Sequence, residues 1–153
     1  MIMQKKLQVE AIEQGSVIDH IPAQQGVKIL KFFKFTQTNE KITIGLNLAT
    51  QSGESKDLIK IENTFFNDKQ ANQLALFAPH ATINQIKDFK VVNKFKVRLP
   101  SSFIGVLSCP NSNCISHNEP VQSRFYVKQK QTLKLKCHYC EKSFERATFD
   151  ELD

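Results

Sequence analysis

A chain of 153 residues with a formal charge of +6, 41% hydrophobic and 24% charged, has room for one ordinary domain, or for one of about 100 residues plus a small one that needs outside help to stay folded. No apolar run approaches the roughly 20 residues of a membrane span, and residues 1–6 lack the apolar core of a signal peptide, so no membrane role and a cytoplasmic location are expected. Residues 1–100 carry 14 Lys and Arg against 9 acids and no cysteine, whereas residues 101–153 carry 7 against 6 and all four cysteines, a segregation that suggests two modules.

Residues 8–12 and 16–21 are β-branched-rich runs separated by Gly15, and Pro22 ends the second. Residues 24–35 read as a helix with Val27, Ile29, Leu30 and Phe33 on one face; Phe32 and Phe35 fall toward its lysine side, where a second packed layer or a partner could cover them. Residues 41–48 and 56–62 form a hairpin pattern across a polar loop. The next helix has the clearest signals: Asn67 caps it, Gln70 completes a capping box, Ala71, Leu74, Ala75 and Ala78 recur at helical spacing, and Pro79 stops it. Residues 81–87 and 89–95 finish the module as strands.

From Ser16 onward this order is βαββαβ, an α+β ferredoxin-like sheet with two helices and added strands. The domains are accordingly placed at 1–96, a basic linker at 97–100 ending in proline, and 101–153. In the last segment, residues 103–107, 124–130, 133–137 and 143–148 read as short strands of a small all-β unit around the cysteines.

The spacing Cys109-x4-Cys114-x22-Cys137-x2-Cys140 gives two short chelate loops separated by enough chain for a small antiparallel sheet. Four thiolates in this arrangement complete a closed tetrahedral shell for one structural Zn²⁺. Tight turns through Pro110, Asn111 and Ser112, and through His138 and Tyr139, would aim backbone N–H groups at the sulfurs. A redox dithiol, two disulfides or four buried thiols are the competing readings; a redox pair would not require Cys109 and Cys114, and the βαβ context of such motifs is absent. His117 and His138 could each replace a thiolate, although four cysteines suffice. A loaded zinc module would have a charge near −1, a poor match for a nucleic acid backbone. No phosphate-binding glycine loop, nucleophile elbow or His-Glu-x-x-His is present, so no catalytic residue is assigned.

The runs Leu7-Gln-Val-Glu-Ala-Ile12, Val17-Ile-Asp-His-Ile-Pro-Ala-Gln24, Ile42-Thr-Ile-Gly-Leu-Asn-Leu48, Lys56-Asp-Leu-Ile-Lys-Ile-Glu-Asn-Thr-Phe65, Cys109-Pro-Asn-Ser-Asn-Cys-Ile-Ser-His117 and Cys137-His-Tyr-Cys-Glu-Lys142 resemble the regulatory chain of aspartate carbamoyltransferase from about residue 7 to about 145. The resemblance implies a non-catalytic subunit of pyrimidine biosynthesis that dimerises through its N-terminal domain and bridges catalytic trimers through its zinc domain. It implies ATP and CTP as competing allosteric effectors, CTP generally inhibiting and ATP generally activating.

Carried over residue by residue, the resemblance makes Lys60 and Lys94 phosphate contacts, Asp19 a ribose contact and His20 a neighbour of the phosphates. Val9, Glu10, Ala11, Ile12, Val17, Asn84, Ile86, Phe89 and Val91 become rim and base pocket, with Phe89 standing where the family has Tyr. Asn111, Asn113, Tyr139, Glu141 and Lys142 become the surface facing the catalytic chain. The alternative to this reading is a zinc-ribbon nucleic-acid-binding protein, for which Phe125-Tyr126-Val127-Lys128 is the nearest stretch of aromatics interleaved with basic residues.

Overall fold

The computed structural model describes residues 11–150, which divide into two compact units at Arg98 and Leu99. Among the described residues, no helix is long and apolar enough to cross a membrane.

The first unit is a five-stranded antiparallel sheet built from β1 (Gly15–Pro22), β2 (Ile42–Ala49), β3 (Ser55–Glu62), β4 (Thr82–Lys87) and β5 (Lys90–Lys96), in the order β2-β3-β1-β4-β5. Its first four strands have the ferredoxin-like order, and β5 is added beside β4. Helices α1 (Gly26–Phe32) and α2 (Asp68–Leu74) provide the two crossovers. Of the expected first strand at residues 8–12, residues 8–10 lie outside the described residues, and Ala11 and Ile12 are not in a strand.

Strand alternation sorts the two faces. Cross-strand pairing aligns Ile44, Ile59, Ile18, Ile83 and Phe95 in one row across all five strands. In that row Ile18, Ile59 and Ile83 are completely buried, as are Ile29 of α1 and Leu74 of α2. This is the helix-covered face. Asp57, also on it and fully buried, accepts hydrogen bonds from the N–H groups of Gly26 (2.9 Å) and Asn47 (2.9 Å), tying the start of α1 and the β2 bulge to β3.

Both helices are shorter than their patterns suggest. Lys34 takes a left-handed conformation (φ 57°) that ends the α1 segment and turns Phe35 into the core, where its ring lies 5.3 Å from Phe33 and 5.7 Å from Phe66. Phe32 meets Phe77 edge-on at 5.1 Å, so the phenylalanines on the lysine side pack within this unit. Val27, expected on the apolar face, is instead 44% exposed. Residues 75–77 continue past α2 as turns, and Ala75 and Ala78 stay buried outside the helix.

The second unit is a four-stranded antiparallel sheet, β6 (Ser102–Ile104), β7 (Arg124–Gln129), β8 (Lys134–Cys137) and β9 (Ser143–Glu145), paired in sequence order. Residues 146–150, expected partly as strand, form a short helix α3 (Arg146–Asp150). It brings Phe149 edge-on to Phe125 (5.2 Å) and to Phe144 (6.1 Å), closing one end of a very small core.

Candidate functional site

Pairing in the second unit aligns Phe103, Phe125 and Cys137 across β6, β7 and β8, anchoring one cysteine in the core. The others come from loops: Cys109 and Cys114 lie between β6 and β7, and Cys140 follows β8. All four sulfurs lie within 4.8 Å of one another, with Cys109–Cys140 and Cys114–Cys137 at 3.7 Å each. These spacings are far beyond the roughly 2.05 Å of a disulfide, and all four thiols are free. A tetrahedron with metal–sulfur bonds of about 2.3 Å has edges of about 3.8 Å. The sulfur set therefore fits a single tetrahedral ion.

The loops are shaped as short turns facing the sulfurs. Backbone N–H groups of Asn111, Ser116, and both Tyr139 and Cys140 point at Cys109, Cys114 and Cys137 respectively. Desolvation raises the Cys109 thiol strongly and the Cys137 thiol as well. At Cys114 the same desolvation is outweighed by the Ser116 hydroxyl, 3.1 Å from the sulfur, and its backbone N–H, which bring the thiol down to about 6. Metal binding needs thiolates, and the hydroxyl and backbone N–H donors around the cluster favour that form. Glu141 completes the second loop in a left-handed conformation (φ 62°) with its N–H donating to the Cys137 carbonyl (3.0 Å).

Around these loops Asn113, Glu141 and Lys142 are exposed, and Asn111 and Tyr139 are half-buried. Asn111 Oδ1 accepts the Asn113 N–H (3.1 Å), and the Tyr139 hydroxyl donates to the Gln122 carbonyl (2.8 Å). The first is a turn lock and the second a brace, so these two side chains are held in place by the loops they belong to.

In the first unit the residues named for nucleotide binding divide clearly. Val9 and Glu10 lie outside the described residues. Ala11 is exposed and Ile12 is buried, just before β1. Val17 pairs with Lys60 on one side and Asn84 on the other, and Asn84 pairs with Lys94. Lys60, Val17, Asn84 and Lys94 thus form one transverse row on the face opposite the buried isoleucines. Alternation within each strand could not reveal this. Gly15, Ile86 and Val91 form the neighbouring row, with Ile86 buried and Val91 57% exposed.

Asp19 continues the same face and forms an ion pair with Lys56 (2.8 Å), a residue the sequence reading did not single out. Burial alone would raise the Asp19 carboxyl, but the Lys56 hydrogen bond, the His20 N–H and the nearby positive charges outweigh it and hold the group below its ordinary range. His20 sits at the β1 bulge with φ 60°, its Nδ1 3.3 Å from the Thr82 hydroxyl. Phe89 is not in a strand as expected. With Asp88 it forms a two-residue hairpin turn, both residues at positive φ, as the right-handed twist of the flanking strands favours. Its ring is 65% exposed, and its N–H donates to the Glu13 carbonyl (3.0 Å). A separate cleft of about 620 Å³ between α2 and β5, lined by Phe66, Asp68, Asn72, Gln85, Asn93 and others, contains none of the named residues but opens on the helix side.

Two family models cover nearly all of the sequence: the allosteric domain of the aspartate carbamoyltransferase regulatory chain matches residues 7–98, and the metal binding domain of the same chain matches residues 101–150. The chain belongs to the aspartate carbamoyltransferase regulatory chain family. It is 81% identical over 151 residues to the regulatory chain of Psychromonas ingrahamii, covering 99% of this chain and 100% of that one. It is 60% identical to the chain of Tolumonas auensis (99% of each covered) and 58% identical to that of Yersinia enterocolitica (100% of each). Membership makes it a non-catalytic regulatory subunit with an allosteric and a metal-binding domain, which decides against a nucleic-acid-binding protein as the reading of the cysteine module.

Proposed function

We propose that the first unit binds ATP and CTP competitively on its helix-free sheet face, and that the second, folded around one Zn²⁺, carries the effect to catalytic trimers of aspartate carbamoyltransferase. The observation that carries this reading is the row Lys60–Val17–Asn84–Lys94. It brackets an apolar and amide floor with two cations, the chemistry a triphosphate and a base require together. Strand spacing of about 4.8 Å puts the two lysine backbones about 14 Å apart, so their side chains must lean inward to share one phosphate chain. Asp19 contacts the ribose from its ion pair with Lys56, and His20 lies beside the phosphates. Ile86 and Val91, with Phe89 at the rim, line the base pocket together with Ala11, Ile12, Val9 and Glu10.

In the second unit Cys109, Cys114, Cys137 and Cys140 hold the zinc. Asn111, Asn113, Tyr139, Glu141 and Lys142 face the catalytic chain, displayed by loops the metal fixes. Regulatory chains pair through the first unit, and residues 97–100 link the two domains. An effector acts only through different affinity for two states of the assembled enzyme. Calorimetry with CTP and ATP tests the site: Lys60→Ala and Lys94→Ala should each weaken both nucleotides by at least about tenfold, the loss of roughly 1.4 kcal/mol expected from one charge-assisted contact, while gel filtration with catalytic trimers shows normal assembly. Unchanged binding in both variants would remove these lysines from the site.

A further inference from the structure

We propose that His117 is a positioning residue for the metal loop, its ring clamping the first chelate turn from outside; this rests on the metal reading above. His117 Nε2 lies 2.9 Å from the Cys109 carbonyl oxygen and 3.1 Å from that of Asn111. Both partners can only accept, so Nε2 carries a proton and donates to the two oxygens at once. The same engagement removes Nε2 from service as a metal ligand, and among the described residues the four sulfurs form the donor set.

The local chain explains how the ring arrives there. After Cys114, residues Ile115–His117 form a single 3-10 turn, opened by the His117 N–H donating to the Cys114 carbonyl (3.1 Å). The turn folds the imidazole back over the loop it has just left. One side chain thereby joins a residue beyond the second ligand to the peptide of the first ligand and to Asn111. The Asn111 carbonyl also accepts the Cys114 N–H (3.0 Å), so the clamp and the loop's own turn meet on a single oxygen. A loop held in this shape loses less freedom when the metal enters, and must break a two-acceptor bond before Cys109 can swing away. Groups just outside the ligand shell commonly change metal affinity by about 10–100-fold through such ordering.

His117 is exposed, so replacing it opens no core cavity. The test uses the full zinc-loaded chain and follows release of the metal to excess chromophoric chelator at constant pH. His117→Gln keeps an N–H donor at similar reach, and His117→Met has similar length with no donor. The clamp predicts release about 10–100-fold faster for His117→Met, with His117→Gln restored close to the parent. Equal rates for His117→Met and parent, or equal acceleration in both variants, would overturn it while leaving the metal reading intact. A parent chain that holds no zinc by atomic absorption would overturn the metal reading and the clamp together.

Discussion

At Asp19, burial and two close donors act on one carboxyl in opposite directions. Desolvation pushes its carboxyl upward, yet the ammonium of Lys56 and the N–H of His20 bring it below the ordinary value of 3.8. A depressed folded value means that the stabilisation is complete above the unfolded value and is lost as pH falls through the folded one. An NMR titration should therefore place the Asp19 midpoint below 3.8, and Lys56→Met should raise it. The pair is partly exposed, so its removal should cost no more than about 1 kcal/mol at pH 7. A parent midpoint at or above the ordinary value would show that burial wins. Lys56 was not legible in the sequence because a β-bulge sets the register that brings it to Asp19. Phe89 was misread for a related reason: Asp88-Phe89 lacks the glycine or asparagine that usually announces this turn. With only five glycines in the chain, nine other residues among those described adopt positive φ, at turns and bulges that composition does not advertise.

Among the elements, α2 was the most legible because its start is governed by a local rule. Asn67 Oδ1 accepts the Gln70 N–H (2.8 Å), and Gln70 Oε1 accepts the Asn67 N–H (3.1 Å). Two of the donors at the helix start are satisfied reciprocally. Asn67→Ala should cost about 1 kcal/mol of stability, measured by urea denaturation, while Asn67→Ser should recover most of it. No loss in the alanine variant would mean that tertiary packing alone holds the seven-residue helix. Its far end was overestimated because alanines at helical spacing are buried equally well by turns. The strand limits in the second unit were harder still, since β6, β8, β9 and α3 each span five residues or fewer and are set by the sulfur cluster and the phenylalanine packing.

Across the molecule, the two units rest on different sources of stability. The first has a full layer of isoleucines beneath its helices, whereas the second, residues 99–153, has a core of a few phenylalanines and leucines with the cysteines. A segment of that size is marginal unaided, and a structural zinc can supply roughly 10–16 kcal/mol of apparent binding free energy. Removing the metal with a mercurial should unfold the second unit alone, leaving one cooperative transition in calorimetry in place of two. Loss of both transitions would mean that the first unit depends on the metal too. The βαββαβ order and the cysteine spacing were readable because each follows from chain order. The alignment of Lys60 with Lys94 was not, because it depends on registers between four strands that local alternation does not fix.

That transverse row is also a mechanical feature. Its four residues come from positions 17, 60, 84 and 94, and neighbours along it share no local stretch of chain except 84 and 94. Anything bound along it would act as a crossbar over β3, β1, β4 and β5. Sliding one strand by a single residue displaces its anchor by about 3.3 Å, more than a phosphate contact can follow. Occupancy would therefore stiffen the sheet against shear, and any motion of the sheet that splayed the row would expel the occupant.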